Sequence, residues 1–291
     1  MRNWVLGVIG GSGLYEIPGL EGAWEPIETP WGAPSDSLFR GNLGGTALVF
    51  LPRHGRGHRL APGSINYRAN IDALKRAGVT DILSLSACGS LREDLAPGAF
   101  VLVDQFIDRT FAREKSFFGE GCAAHVSMAD PVCPRLASLA AQAGRAAGAP
   151  VIEGGCYLAM EGPQFSTRAE SRLYQSWGCD VIGMTNMPEA KLAREAELPY
   201  ASVAMVTDYD CWRAGEEASV TQIVATLGAN VGKARALVMH LAAALAAAAR
   251  TPSPIDTCLD HALITAPAAR DPALLAKLDA VAGRVLRDRR L

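Results

Sequence analysis

The stretch "LPRHGRGHRLAPGSINYRAN" (51–70) carries Arg53, Arg56, Arg59 and Arg68, with His54 and His58, among glycines and prolines. Arginine offers a planar fork of donors matched to phosphate or carboxylate, and histidine can add a further donor. The chemistry suggested is anion binding, although a solvated basic loop has the same composition. His54 and His58 are four apart, but Gly55 and Gly57 oppose the helix that would aim both at a metal, and no acid adjoins them. Metal binding is therefore not expected.

Two further stretches offer anion-binding groups. In "VIGGSGLY" (8–15) a strand runs into a glycine turn, where Gly10, Gly11 and Gly13 leave backbone N–H groups open and Ser12 adds a hydroxyl. The turn lacks both the third glycine of a dinucleotide fingerprint and a G-K-[ST] ending, so neither a nicotinamide cofactor nor a P-loop is supported. In "SLSACGSLRED" (84–94) a strand again ends in hydroxyls and glycine, with Ser86 at its tip. Serines there can also simply form turns. Cys88 has no histidine in its stretch and reads as a buried structural thiol. A different signal comes from "VTDYDCW" (206–212), where Asp208 and Asp210 close the apolar run Ala201 to Val206. Two acids have no packing use at the tip of an apolar strand, which leaves a turn, a cap on the next helix, or chemistry.

The elements that must position these groups alternate. Short apolar runs recur in "WVLGVIGGSG", "TALVFLPRHG", "DILSLSACGS", "AFVLVDQFIDR", "VIGMTN" and "YASVAMVTDYD". Helix-like stretches lie between several of them, at Asn66 to Ala77 and Ala169 to Trp177, which is the alternation of an α/β sheet with helical cover. The stretch 215–249 reads as a long helical region, with 237–249 buried, and 271–286 as another helix after a Pro-rich connector at 252–266. Ligands of such sheets gather at the carboxyl ends of the strands. Ser12, Arg53, His54, Ser86, Thr185, Asp208 and Asp210 all fall at those ends and are to be read as one group.

Composition excludes other classes. The 291 residues are 49% hydrophobic and 20% charged, with a net charge of -2, which shows no bias toward nucleic acid or an anionic membrane. Seven cysteines without a C-x-x-C pair suggest neither a disulfide framework nor a zinc ribbon, and a reducing compartment fits them. The opening residues "MRNWVLGVIGG" run into a strand-like segment without the apolar stretch and small-residue cleavage site expected of a signal peptide, and the longest apolar stretch falls short of the ~20 residues that span a bilayer. A cytoplasmic enzyme is expected, one domain over 1–291 with 252–291 as a C-terminal helical extension.

Taken together, "GVIGGSGLY", "LPRHGRGH", "PGSINYRANI", "SACGSLRED", "VDQFIDRT", "MEGPQFSTRAE", "MTNMPEAKLA" and "ASVAMVTDYDCW" resemble the trimeric purine nucleoside phosphorylase family, in its methylthioadenosine-cleaving branch. The match runs from about residue 5 to 249 and no single motif carries it. The resemblance implies a mixed, partly barrel-like sheet flanked by helices. It also implies phosphate-dependent cleavage of the N-glycosidic bond of methylthioadenosine, in purine and methionine salvage, with phosphate as co-substrate and no metal or organic cofactor. By the same resemblance Ser12, Arg53, His54, Ser86, Thr185 and the backbone amide of Ala87 hold phosphate. Met184 contacts the ribose, Phe165 stacks on the base, and Ser166 bonds its far edge. Asp208 serves N7 and the 6-amino group with Asp210 in support, because a carboxyl of raised pKa can protonate a leaving purine. Val220 and Ile223 form an apolar wall for the methylthio group. His125 is lent to the neighbouring subunit of a homotrimer. A phosphorylase of 6-oxopurine nucleosides, or a noncatalytic nucleotide-binding protein on the same fold, would keep many of these residues.

Overall fold

The computed structural model describes residues 3–11, 17–213 and 220–287. Among the described residues eleven strands join in one mixed sheet. In chain order the strands are β1 (Val5–Gly10), β2 (Glu21–Glu25), β3 (Leu38–Leu43), β4 (Thr46–Pro52), β5 (Asp81–Ser90), β6 (Phe100–Val103), β7 (Gln105–Arg109), β8 (Val151–Glu153), β9 (Cys156–Met160), β10 (Val181–Gly183) and β11 (Tyr200–Asp208). The helices are α1 (Tyr67–Arg76), α2 (Pro134–Ala146), α3 (Arg168–Ser176), α4 (Glu189–Glu195), α5 (Val220–Ala246), α6 (Pro272–Lys277) and α7 (Gly283–Arg287).

β5 is the axis of the sheet. Its first half lies parallel to β1, with Ile9 opposite Ser84, and its last residues run antiparallel to β10, with Ile182 opposite Gly89. Its other edge follows β11 from Tyr200 opposite Ile82 to Asp208 opposite Gly89, with a bulge between Val206 and Asp208. A strand with three neighbours must change partner along its length, and the sheet curls where it does. This is the mixed, partly barrel-like sheet that the resemblance implies. β4 lies beyond β1, so Gly10 pairs with Pro52 and Arg53 begins where β4 ends.

Helices cover both faces. On one, Ile71 and Leu74 of α1 and Leu192 of α4 pack with Leu259, Leu278 and Val281 of the chain's last segment. On the other, Leu136 and Ala140 of α2 meet Leu237, Val238 and Leu241 of α5. Local signals fix the helix ends. The Asn66 side chain accepts from the Ala69 N–H at the start of α1, and Lys75 and Arg76 complement the dipole at its end. Thr167 and Glu170 cap α3 reciprocally.

Three expectations need correction. The run at 99–109 splits into β6 and β7, because the Asp104 carboxylate accepts from the Gly155 N–H at 3.0 Å and the chain there changes neighbours. The helix expected at 271–286 is α6 and α7 with a turn between them, which drives Leu278, Val281 and Ala282 into the core. The stretch 237–249 is not buried all round: Leu237, Val238, Leu241 and Leu245 face inward, while Met239 and His240 are exposed. Among the described residues no helix is long and apolar enough to cross a membrane.

Candidate active site

Arg53 leaves β4 and turns into the protein, where it is 1% exposed. Its Nε and Nη2 donate to the two oxygens of Glu189 at 2.9 and 3.1 Å, Nη2 also reaches Ser84 Oγ at 2.6 Å, and Nη1 donates to the Leu85 carbonyl at 3.0 Å. One N–H on Nη1 is left over from the fork of five. Burial opposes the charge of Glu189, yet Arg53 and its hydrogen bonds hold that carboxyl below the usual range. The other arginines of the loop point elsewhere. Arg56 pairs with Asp36 at 2.8 Å, Arg68 with Glu114 at 3.5 Å, and Arg59 donates to the Ser35 carbonyl.

His54 is buried beside Arg53 and stacks on His58 at 4.2 Å. Its Nδ1 lies 2.9 Å from the Leu60 carbonyl, which can only accept, so Nδ1 carries the hydrogen. Burial, and then the charge of Arg53, push its pKa down to about 4. At neutral pH the ring therefore offers a lone pair at Nε2. This corrects the further donor expected of it.

Asn186 joins the strand tips. Its Oδ1 accepts from Ser84 Oγ at 2.9 Å, and its Nδ2 donates to Ser202 Oγ at 3.0 Å and Ser86 Oγ at 3.3 Å. The Ser86 oxygen accepts from Asn186, so its own hydrogen can serve an anion. Thr185 is buried next in the chain, and Ala87 is half-buried on β5. The Tyr157 hydroxyl faces Thr185 without closing a hydrogen bond and is wholly buried. It occupies the place of a side chain at Gly183, where an added Cβ would lie 1.9 Å from it. Hence Arg53, Ser86, Ala87 and Thr185 come together around β5, linked through Ser84, Asn186 and Glu189.

The acids form a second group. Asp208 accepts from Thr207 Oγ1 at 2.6 Å and from the Asp210 N–H at 2.9 Å, and its Oδ2 would lie 3.2 Å from a Cβ on Gly89. Asp210, with φ at 54°, turns back into the protein. Its carboxylate accepts from Ser171 Oγ at 2.5 Å, and the Ser166 hydroxyl lies 3.1 Å from both of its oxygens. Burial raises both pKa values above the carboxylate range, most strongly opposed by Thr207 at Asp208 and by Ser171 at Asp210. In this geometry the Ser166 hydroxyl is taken up by Asp210.

The remaining candidates are spread around these two groups. Met184 is half-buried and packs its sulfur on Gly162, while Phe165 stands 56% exposed. Val220 opens α5 and Ile223 lies half-buried in its first turn. His125 is exposed, and its N–H donates to the Ala262 carbonyl of the last segment at 2.9 Å. Ser12 lies outside the described residues. Among the described residues no cluster of three His, Cys, Asp or Glu side chains is placed to hold a metal ion.

Glu189, Asn186, Ser84, Tyr157 and Ser171 were not singled out in the sequence. The first two stand inside "MTNMPEAKLA", a quoted motif, but nothing local announces that they bond to residues a hundred or more positions away.

Residues 5–243 match the Phosphorylase superfamily. The S-methyl-5'-thioadenosine phosphorylase of Cereibacter sphaeroides is 66% identical over 97% of this chain and 99% of its own length. That of Bradyrhizobium diazoefficiens is 62% identical over 99% and 100%. Among solved structures, a methylthioadenosine phosphorylase from an antarctic soil metagenomic library aligns with a TM-score of 0.90 at 45% identity, covering 97% of this chain and 99% of that one. The Schistosoma mansoni methylthioadenosine phosphorylase in complex with adenine aligns with a TM-score of 0.81 at 39% identity, over 84% and 93%.

Proposed function

The chain belongs to the phosphorylase superfamily, and from that premise we propose that it cleaves S-methyl-5'-thioadenosine with inorganic phosphate, releasing adenine and 5-methylthioribose 1-phosphate. One observation carries the reading. Ser86, in the anion-suited group, and Gly89, against which the half-buried Asp208 lies, are three residues apart on β5, a separation of about 10 Å at strand rise. That span suits a ribose with phosphate on one side and a purine on the other.

Phosphate is held by Ser12, Arg53, His54, Ser86, Thr185 and the Ala87 amide. Nε2 of His54 accepts a hydrogen bond from the hydroxyl of monohydrogen phosphate, which keeps its proton, and Arg53, its charge balanced by Glu189, orients more than it neutralises. In the reaction the C1'–N9 bond breaks and its electron pair moves onto the purine. Asp208 gives N7 a proton or a strong hydrogen bond, and a phosphate oxygen closes on C1'. The sugar passes through a cationic state that the bound phosphate charge stabilises. Asp210 and Ser166 support Asp208, Phe165 stacks on the base, and Met184 contacts the ribose. Val220 and Ile223 line the methylthio end. We place the enzyme as a homotrimer in which His125 serves a neighbouring pocket, with no metal or organic cofactor in the reaction.

The test is to incubate purified protein with methylthioadenosine, methylthioinosine, adenosine and inosine, each with and without phosphate, and to separate the released bases. Phosphate-dependent adenine from methylthioadenosine should exceed every other product. Dominant release of hypoxanthine, or base release that ignores phosphate, would overturn the proposal.

A further inference from the structure

The proposed reaction uses none of the seven cysteines, and two of them meet. Cys156 opens β9, and Cys179 lies in the turn between α3 and β10. Backbone bonds fix these points together: the Asp180 N–H donates to the Cys156 carbonyl at 2.9 Å, and the Cys156 N–H donates to the Asp180 carboxylate at 2.7 Å. Both side chains belong to one small apolar cluster with Leu158, Tyr174 and Ile182. The two thiols are neighbours there, Cys179 inside the cluster and Cys156 packed against it, and both cysteines are free. Cys179 is buried at 3% exposure, whereas Cys156 is only partly buried.

We propose that Cys156 and Cys179 form a dithiol site that hydroperoxides convert into an intrachain disulfide. The two sulfurs have different parts. The neighbouring Cys179 thiol holds Cys156 below its usual range, against burial and the nearby Asp180 and Asp104 carboxylates. The same contact, with burial, raises Cys179. Cys156, the more accessible of the two, is therefore the attacking thiolate and Cys179 the resolving thiol. In the first step the Cys156 thiolate attacks the peroxide O–O bond, giving a sulfenic acid and hydroxide, which takes up a proton to become water. In the second, the Cys179 sulfur displaces the sulfenic oxygen, and the thiol hydrogen leaves with it as a second water. Overall two thiols are oxidised and one peroxide is reduced to two waters.

The staple would close the start of β9 onto the segment that follows α3. That helix carries Ser171, whose hydroxyl supports Asp210, so the crosslink restrains the element behind the acid pair. Neither the chemistry nor its detection depends on which nucleoside the enzyme takes.

The test uses the full chain, reduced and freed of reductant, then exposed to hydrogen peroxide, alkylated, and digested without reduction for mass spectrometry. The expected product is a joined peptide pair containing Cys156 and Cys179, two hydrogens lighter than the separate peptides and split by dithiothreitol. In Cys179→Ser, peroxide should leave a sulfenic acid on Cys156 that dimedone captures. In Cys156→Ser, Cys179 should remain a thiol. The proposal is overturned if both residues are still alkylated when other cysteines have oxidised, or if Cys156 of the unaltered chain proceeds to sulfinic acid with no joined peptide.

Discussion

Replacing Glu189 with alanine should damage this protein more than removing any surface charge. The Arg53 and Glu189 side chains are each 1% exposed and joined at 2.9 Å, with a second bond at 3.1 Å. After truncation the guanidinium keeps only Ser84 Oγ and the Leu85 carbonyl, both neutral. Leaving one partner of a buried pair without its counter-charge costs about 3–5 kcal/mol. At about 2 °C per kcal/mol for a chain of this size, the melting temperature should fall by about 6–10 °C. The Tyr200 hydroxyl also loses its 2.8 Å acceptor but retains Asn186 at 3.2 Å, so it adds little. Glu189→Gln, which keeps an oxygen for Arg53 but no charge, should fall between. Glu25→Ala is the control, because its pair with Arg40 is 44% and 47% exposed and such pairs contribute under about 1 kcal/mol. The pH dependence has a fixed sign. Arg53 holds the Glu189 carboxyl below its usual range, so its contribution is full above the unfolded value of about 4.3 and is lost as pH falls through the folded one. The gap between the parent and Glu189→Ala should therefore be full at neutral pH and narrow only in acid. Scanning calorimetry reads the stability, and steady-state kinetics should show a raised KM for phosphate on the order of tenfold, equal to about 1.4 kcal/mol. A melting temperature lowered by less than about 2 °C, with the phosphate KM unchanged, would refute the reasoning.

Asp208→Asn keeps the shape of the acid but not its proton, so adenine release should fall by roughly 100- to 10,000-fold, with preference shifting toward 6-oxopurines; unchanged adenine turnover in a chromatographic assay would contradict the assignment. Because the Asp208 pKa is raised, kcat/KM should decline as pH rises through the folded value, and stability contributed by the neutral acid should decline with it. Gly183→Ala puts a methyl 1.9 Å from the Tyr157 hydroxyl, at a cost of about 1–3 kcal/mol. Adding Tyr157→Phe should recover most of this in urea denaturation.

What the sequence made legible follows from where the information lies. Strand ends could be read because an apolar run that stops at a glycine or a polar residue is a local event, and β1, β4, β5 and β11 all stop that way. The partners at those ends could not. Arg53 and its loop neighbours Arg56, Arg59 and Arg68 look alike in the sequence, but only Arg53 directly follows a buried strand and is drawn inward by a carboxylate 136 positions away. Ser166 illustrates the same limit, since its contact with Asp210 spans 44 positions and competes with the contact expected to a base. β9 was hidden because Gly154 and Gly155 interrupt the run before it, and both adopt positive φ in the turn from β8. The last segment misled for a different reason: 271–286 has a helical pattern, but burying Leu278, Val281 and Ala282 together needs the turn that divides it.

The two acids at the end of β11 end up in unlike surroundings although only Tyr209 separates them. The bulge after Val206 and the positive φ of Asp210 turn the second carboxylate away from the strand direction of the first. Asp210 is 6% exposed, with its oxygens met by two serine hydroxyls, and has little left to offer a ligand. Asp208 is the more open of the two and lies against Gly89, where no side chain stands between it and the β5 tip. Burial raises both acids, and the charge of Asp208 raises Asp210 further, so the pair resists holding two charges and titrates as a unit. A proton retained by such a pair is useful only where it can be passed on. Asp210 is enclosed, so in the proposed reaction delivery falls to Asp208.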